Sequence, residues 1–253
     1  MHKFFVQREF INEDNAFIEG DDVKHIYKVL RLECGDKVSI NDCQGNEYLG
    51  EIHEINKKQV IVNLIEKLPI NNESPVNVYL YQGLPKSAKM DLIVQKATEL
   101  GIKEITPVVT ERVVVKSEIT EFKKVDRWNR IALEACKQSK RSLLPSINTP
   151  IEFDELLSSL KDMDLIVVPY ENEDGFGVKN LINSLNKEVK NIAVVIGPEG
   201  GFEESEINSL RDLGAQIVTL GPRILRTETA GFVCVTMLMY ELGDMGGAAN
   251  REG

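Results

Sequence analysis

The chain has 253 residues, 42% of them hydrophobic and 28% charged, enough apolar content for a buried core in one large domain or two smaller ones. A formal net charge of −10 argues at first against a nucleic-acid partner, and no apolar run approaches the roughly 18 residues that a membrane-spanning helix needs. The start MHKFFVQREF carries charge where a signal peptide needs an apolar stretch. Cys34, Cys43, Cys136 and Cys234 form no CxxC pair, and the three histidines are scattered, so a cytoplasmic protein with reduced thiols and no metal site is expected.

Up to about Ile70 the signal is β. HIYKVLRL reads as one short helix with Gly35 as its C-cap. VSIND, EYLGEIHEI and QVIVNLIEK follow as strands, separated by DCQGN and NKK. This predicts a small β-barrel-like module over 1–70. LPINNESP then reads as a linker, centred on 71–75. From Val76 strands and helices alternate. NVYLYQGL, ITPVVT, DLIVVPY, IAVVIG and QIVTLG are the strands. PKSAKMDLIVQKATELG, EFKKVDRWNRIALEACKQSKR, VKNLINSLN, EESEINSLRDLG and TAGFVCVTMLMYEL are the helices. That alternation predicts an α/β domain over 76–244 with a parallel, helix-covered sheet; residues 245–253 read as a disordered tail.

The charge is unevenly spread. Residues 84–145 hold thirteen Lys/Arg against eight Asp/Glu, while the flanking stretches are acidic, so a local basic footprint sits inside an acidic chain. Ligands of open α/β sheets sit beyond the carboxyl ends of strands, where VPYENEDG, IGPEGGF and LGPRILRTETAG all lie. None has the Lys-Ser/Thr ending of a phosphate-binding P-loop or the spacing of a dinucleotide fingerprint, and the glutamates of GGFEES repel phosphate. Gly200 and Gly201 permit close backbone approach, Pro198 stiffens the entry, and Glu199 tolerates a cation. Such loops suit adenosine carrying positive charge without phosphate, as in S-adenosylmethionine.

IGPEGGF joined to LGPRILRTETA resembles the paired motifs of the SPOUT superfamily of methyltransferases, and more narrowly the RsmE family of 16S ribosomal RNA uridine N3-methyltransferases. HIYKVLRLECGDKV, LPKSAKMDLIVQKATELGI, ERVVV and RWNRIALEACKQSKRSLLPSI extend the likeness over most of the chain. The resemblance implies a SPOUT-type knotted parallel sheet covered by helices, preceded by a PUA-like RNA-binding barrel. It implies a homodimer that packs the helix from Gly231 to Leu242 at its interface as well as in the core, with 16S ribosomal RNA or the small subunit as substrate. S-adenosylmethionine is the implied cofactor, bound inside three strand-end loops. Pro169 and Tyr170 would line it from the first loop. Ile196, Gly197, Pro198, Glu199, Gly200 and Gly201 would do so from the second, and Leu220, Gly221, Ile224, Leu225 and Thr229 from the third.

Methylating N3 of uracil requires that its weakly acidic proton be taken or shared. His2, His25 and His53 all lie in the first module, which leaves Glu199, Glu228, a water or an RNA phosphate as acceptor, and Arg226 to stabilise charge developing on the uracil oxygens. RNA contacts are expected from Lys86, Lys89, Lys96, Arg112 and Arg141 in the basic middle, from His25 and Arg31 in the first module, and from Arg223. Lys3 stands where the family usually has Arg before Phe-Phe and loses bidentate phosphate geometry. Two other readings stay open on the sequence: a knotted ribose 2′-O-methyltransferase acting on tRNA or rRNA, and an RNA-binding adaptor without catalysis.

Overall fold

In the computed structural model, which describes residues 1–69, 72–86, 89–113 and 120–247, the chain divides between two units. The first takes Met1–Glu73 together with Cys136–Leu144, and the second takes Ser74–Ala135 and Pro145–Gly253.

The first unit is a five-stranded sheet in the order β1-β3-β4-β5-β2, built from β1 (His2–Phe5), β2 (Asn15–Glu19), β3 (Lys37–Asn41), β4 (Glu47–Ile55) and β5 (Gln59–Leu68). β1 runs parallel to β3 and the other pairs are antiparallel. Two register shifts between β4 and β5, at Leu49/Gly50 and Ile52/Glu54, bend the pair, as bulges do, and curl the sheet around Phe4, Ile18, Val38, Ile40, Ile52, Val60 and Val62. Gly50 is required there, because a Cβ would sit 2.4 Å from Val62 Cγ1. The sequence signals missed β1 and β2, which are short and flanked by charges.

The expected helix HIYKVLRL is a wider turn. α1 (Asp21–Lys24) opens into a π-helical segment over His25–Leu30, which closes at Arg31 in the left-handed region, φ 54°. Gly35 is therefore not its cap; it sits in the turn before β3, its N–H bound to Ile52 O at 2.8 Å. LPINNESP is anchored where Glu73 accepts from the backbone N–H groups of Ser142 and Leu143 and from Arg141.

In the second unit β6 (Asn77–Gly83), β7 (Glu104–Val109), β8 (Ser146–Ile147), β9 (Ile151–Glu152), β10 (Leu165–Pro169), β11 (Asn191–Ile196) and β12 (Gln216–Val218) form one sheet, ordered β12-β10-β11-β6-β7-β8 with β9 also on β7. Every pair is parallel, so all the carboxyl ends share one edge. The strands are near-continuous apolar runs because both faces are covered. Tyr81, Val108, Ile166, Val168, Ala193 and Val195 meet α4 (Phe153–Ser159) and α6 (Glu204–Asp212) through Leu156, Ile207 and Leu210. α2 (Lys89–Glu99), α5 (Val178–Ser184) and α7 (Thr227–Glu241) form a second contact group, α7 lying on α2, α5, β6 and β11.

α3 (Thr120–Ser139) buries Trp128, Ala132 and Ala135 along one stripe, and its last turn is counted with the first unit. α4, β8 and β9 carried too little periodicity to be foreseen. Gly101 and Gly214 close α2 and α6 with φ of 89° and 85°, where other residues are strained. Of the tail, 248–253 lie outside the described residues, as do parts of the LPINNESP, PKSAK and ERVVV stretches.

Candidate active site

β10, β11 and β12 end side by side, and the segments leaving them enclose a cavity of about 570 Å³. Pro169, Tyr170, Glu171, Glu173 and Asp174 form one wall; Ile196, Gly197, Pro198, Glu199, Gly201 and Phe202 form the second; Thr219 to Thr227 and Ala230 form the third. Lys89 reaches in from α2.

Each wall is held by backbone bonds that follow from its sequence. Tyr170 N–H donates to Val218 O at 3.0 Å, tying the first loop to β12. Pro198 to Gly201 is a turn closed by Gly201 N–H to Pro198 O at 2.9 Å, with Gly201 at φ 70°. A Cβ on Gly201 would stand 2.7 Å from Glu171 Oε1, and one on Gly83 only 2.5 Å from Pro198 N. The glycines thus let β6, the first loop and the second loop close on one another.

Thr227, at the start of α7, locks the third wall to the second. Its Oγ1 donates to Gly197 O at 2.6 Å and accepts from the buried Gln82 Nε2 at 2.8 Å.

Lys89 and Glu199 both line the cavity, Lys89 Nζ standing 3.0 Å from Glu199 Oε1; it also stands 3.3 Å from Oε2 of Glu228, which is not among the lining residues. Burial pushes the Glu199 carboxyl up, but the Lys89 ammonium and backbone N–H groups, Lys86's among them, outweigh it and leave the acid below its ordinary value. The same contact with Glu199, assisted by Glu228, raises Lys89. Arg226 is exposed at the N-cap of α7 and has no ion pair among the described residues.

Most positions expected at the cofactor line this cavity; Gly200 and Thr229 are not among the lining residues. A Cβ on Gly200 would meet Arg112, and Thr229 is the third residue of α7. The sequence reading missed Glu171, Glu173 and Asp174, although the strand-end rule applied to VPYENEDG would have reached them. It also missed Thr227, whose signal is a hydroxyl opening an otherwise apolar helix.

The expected RNA set divides. Lys86, His25, Arg31 and Arg223 are exposed and carry no ion pair among the described residues. Lys89 belongs to the cavity. Arg141 is only 4% exposed and paired with Glu73 at 2.6 Å, so burial removes it from a phosphate-facing surface. Lys3 is neutralised by buried Glu47, and Lys96 by Glu99 at 2.9 Å. Arg112 braces the second loop through Glu203 at 2.7 Å and Gly200 O at 3.0 Å. No group of three His, Cys, Asp or Glu able to hold a metal occurs among the described residues, and no described helix is long and apolar enough to cross a membrane.

A parallel helix-covered sheet with such strand-end loops, in one chain with a curled β module, is the plan of an RNA methyltransferase with a PUA domain. The RNA methyltransferase domain family matches residues 72–239, and the RNA methyltransferase PUA domain matches 18–65. Ribosomal RNA small subunit methyltransferase E of Bacillus subtilis is 36% identical, over 95% of this chain and 97% of its own length. That of Aquifex aeolicus is 34% identical, over 94% and 99%. Among solved structures, the Neisseria gonorrhoeae ribosomal RNA small subunit methyltransferase E bound to S-adenosyl methionine superposes with a TM-score of 0.81, at 29% identity and covering 97% of this chain and 99% of its own. The chain belongs to the ribosomal RNA small subunit methyltransferase E family.

Proposed function

We propose that this protein transfers the methyl group of S-adenosylmethionine to N3 of a uridine in the 16S ribosomal RNA of the small subunit, as a cytoplasmic homodimer whose strand-end loops are threaded in the knot of its superfamily. The observation that carries the reading is the cavity: strand-end backbone on three sides, bent by glycines on two of them, with Glu171, Glu173, Asp174 and Glu199 on its walls.

That lining fits the cofactor and disfavours a nucleotide phosphate. Backbone amides and carbonyls suit the adenine edge and ribose hydroxyls, and the carboxylates offset the charges of a sulfonium and an ammonium. When bound, the cofactor supplies an electrophilic methyl group. The chain's residues do the rest. Gln82 and Thr227 fix the Gly197 carbonyl, and Gly201 lets the second loop approach Glu171. Glu199 and Glu228, both paired with Lys89, are the candidate acceptors of the N3 proton. Arg226, exposed at the cavity mouth, is available to a uracil oxygen or an RNA phosphate.

Two surface features support the partners. Lys86, Arg223 and Arg31 are exposed cations with no ion pair among the described residues, and His25 is exposed as well, as phosphate contacts require. α7 is apolar on both faces: Cys234, Val235, Leu238 and Met239 are buried, whereas Tyr240 is 65% and Met237 38% exposed, which suits cover by a second copy.

Nucleoside mass spectrometry of small-subunit RNA from a strain lacking this protein tests the reading. Loss of 3-methyluridine, restored by the gene, is the expected result; loss of a ribose-methylated nucleoside instead, or no change, would overturn it.

A further inference from the structure

Lys89, Glu199 and Glu228 come from three separate elements, α2, the second loop and α7, and meet at the Lys89 ammonium, beside the cavity that Lys89 and Glu199 line. One ammonium faces two carboxylates, and the two acids are held differently. Lys86 N–H donates to both Glu199 oxygens, at 3.1 and 3.2 Å, and Lys89 donates to Oε1 at 3.0 Å. A carboxylate so fully engaged is a weak base. Glu228 is only 13% exposed, and its Oε2 stands 3.3 Å from Lys89 Nζ. Glu228 is thus the less fully engaged of the two carboxylates. Lys89, clamped from two sides, is a preorganised positive charge; exposed Arg226 is not.

We propose that Lys89 is the electrophilic member of the reacting site, donating to a uracil carbonyl oxygen while Glu228 takes the N3 proton, and that Glu199 acts only by positioning Lys89. The proposal rests on the N3-uridine reading above. As the proton passes to the Glu228 carboxylate, the N–H electron pair stays on nitrogen and becomes the new N–C bond. The pair of the broken C–S bond stays on sulfur. One negative charge on Glu228 and one positive charge on sulfur disappear together, so charge balances without another reactant. The Lys89 ammonium stabilises the negative charge that builds on the uracil oxygens between these events.

Two measurements test this, after the product of the wild-type enzyme has been identified. In single-turnover assays at saturating RNA, Lys89→Met is expected to slow transfer about 100-fold, the range for losing one preorganised charge donor. Lys89→Arg should recover part of that rate, and Glu199→Gln should lose about tenfold with Glu228 intact. The second readout needs no turnover. In Glu228→Gln the amide stands for the protonated acid, so with S-adenosylhomocysteine bound this variant should take up 6-azauridine monophosphate, whose N3–H ionises near neutral pH, about tenfold more tightly than uridine monophosphate at pH 8. Adding Lys89→Met should abolish that preference, and adding Lys89→Arg should keep it.

A Lys89→Met enzyme that only binds RNA less tightly and transfers at the wild-type rate would make Lys89 a phosphate contact and overturn the proposal. So would an unchanged preference in the double variant, or none in Glu228→Gln. Should the wild-type product be anything but 3-methyluridine, the underlying reading fails first and takes this assignment with it.

Discussion

At the scale of single residues, the cavity depends on a few short hydrogen bonds and on the space left by glycines. Thr227 is the clearest case, because its hydroxyl serves Gly197 O and the buried Gln82 amide at once. Thr227→Val keeps the shape and strands both partners, so it should lower unfolding free energy by about 2 kcal/mol in urea titrations and weaken cofactor binding; Thr227→Ser should do neither. The Lys89–Glu199 pair sets a pH window. A carboxyl held below its ordinary 4.5 stabilises the fold above that pH, and the contribution is lost as pH falls through the lowered value. A lysine raised above 10.5 contributes below that pH, and its contribution fades as pH rises through the raised value. Wild type should therefore exceed Glu199→Gln in stability between about pH 5 and 10, with the two converging in acid. A gap that did not shrink as the pH fell below 4.5 would show that the pair is not its source.

Among the elements, strands and helices that carry their own periodicity were legible: β6, β7, β10, β11, β12 and all the long helices follow from apolar runs bounded by glycine or proline. β1, β2, β8 and β9 were not, because two to five residues hold too little pattern and their pairing is set by distant strands. The π-helical turn at His25–Leu30 looks like an ordinary helix in sequence, since the two share the same residue preferences. Arg141 shows the limit most plainly. Within a basic run it reads as an RNA contact, yet it is buried against Glu73. Arg141→Ala should therefore destabilise the first unit by about 3 kcal/mol in thermal or chemical unfolding, the cost of stranding a buried partner. Unchanged stability with lost RNA affinity would return Arg141 to the surface role. Burial also separates the thiols: it drives Cys136 and Cys234 up to about 12 and Cys43 to about 11, whereas Cys34 is exposed. Maleimide at neutral pH should label Cys34 first, and rapid labelling of Cys234 would contradict the packing of α7.

For the whole molecule, the charge map and α7 make separate demands. The total charge hides the basic stretch over residues 84–145, but that stretch is not one RNA face: several of its cations are spent on ion pairs, which no sequence count reveals. The side of α7 that carries Met237 and Tyr240 is apolar and exposed, and on the proposed reading a second copy covers it. Sedimentation should find a dimer for the wild type and a monomer for Tyr240→Glu, while a monomeric wild type would remove the dimer from the account. The position of the cavity was legible because the strand-end rule and the loop motifs agree. The Lys89 clamp was not, because its members come from segments far apart in the chain, whereas the acids of VPYENEDG were within reach of the strand-end rule. The most direct test of the central claim is calorimetry with S-adenosylmethionine on wild type and on Gly201→Val, whose side chain would intrude on Glu171. One cofactor bound per wild-type chain, with binding lost in the variant, is the predicted result. No binding by the wild type, or equal binding by both, would contradict the assignment of the strand-end loops as the cofactor site.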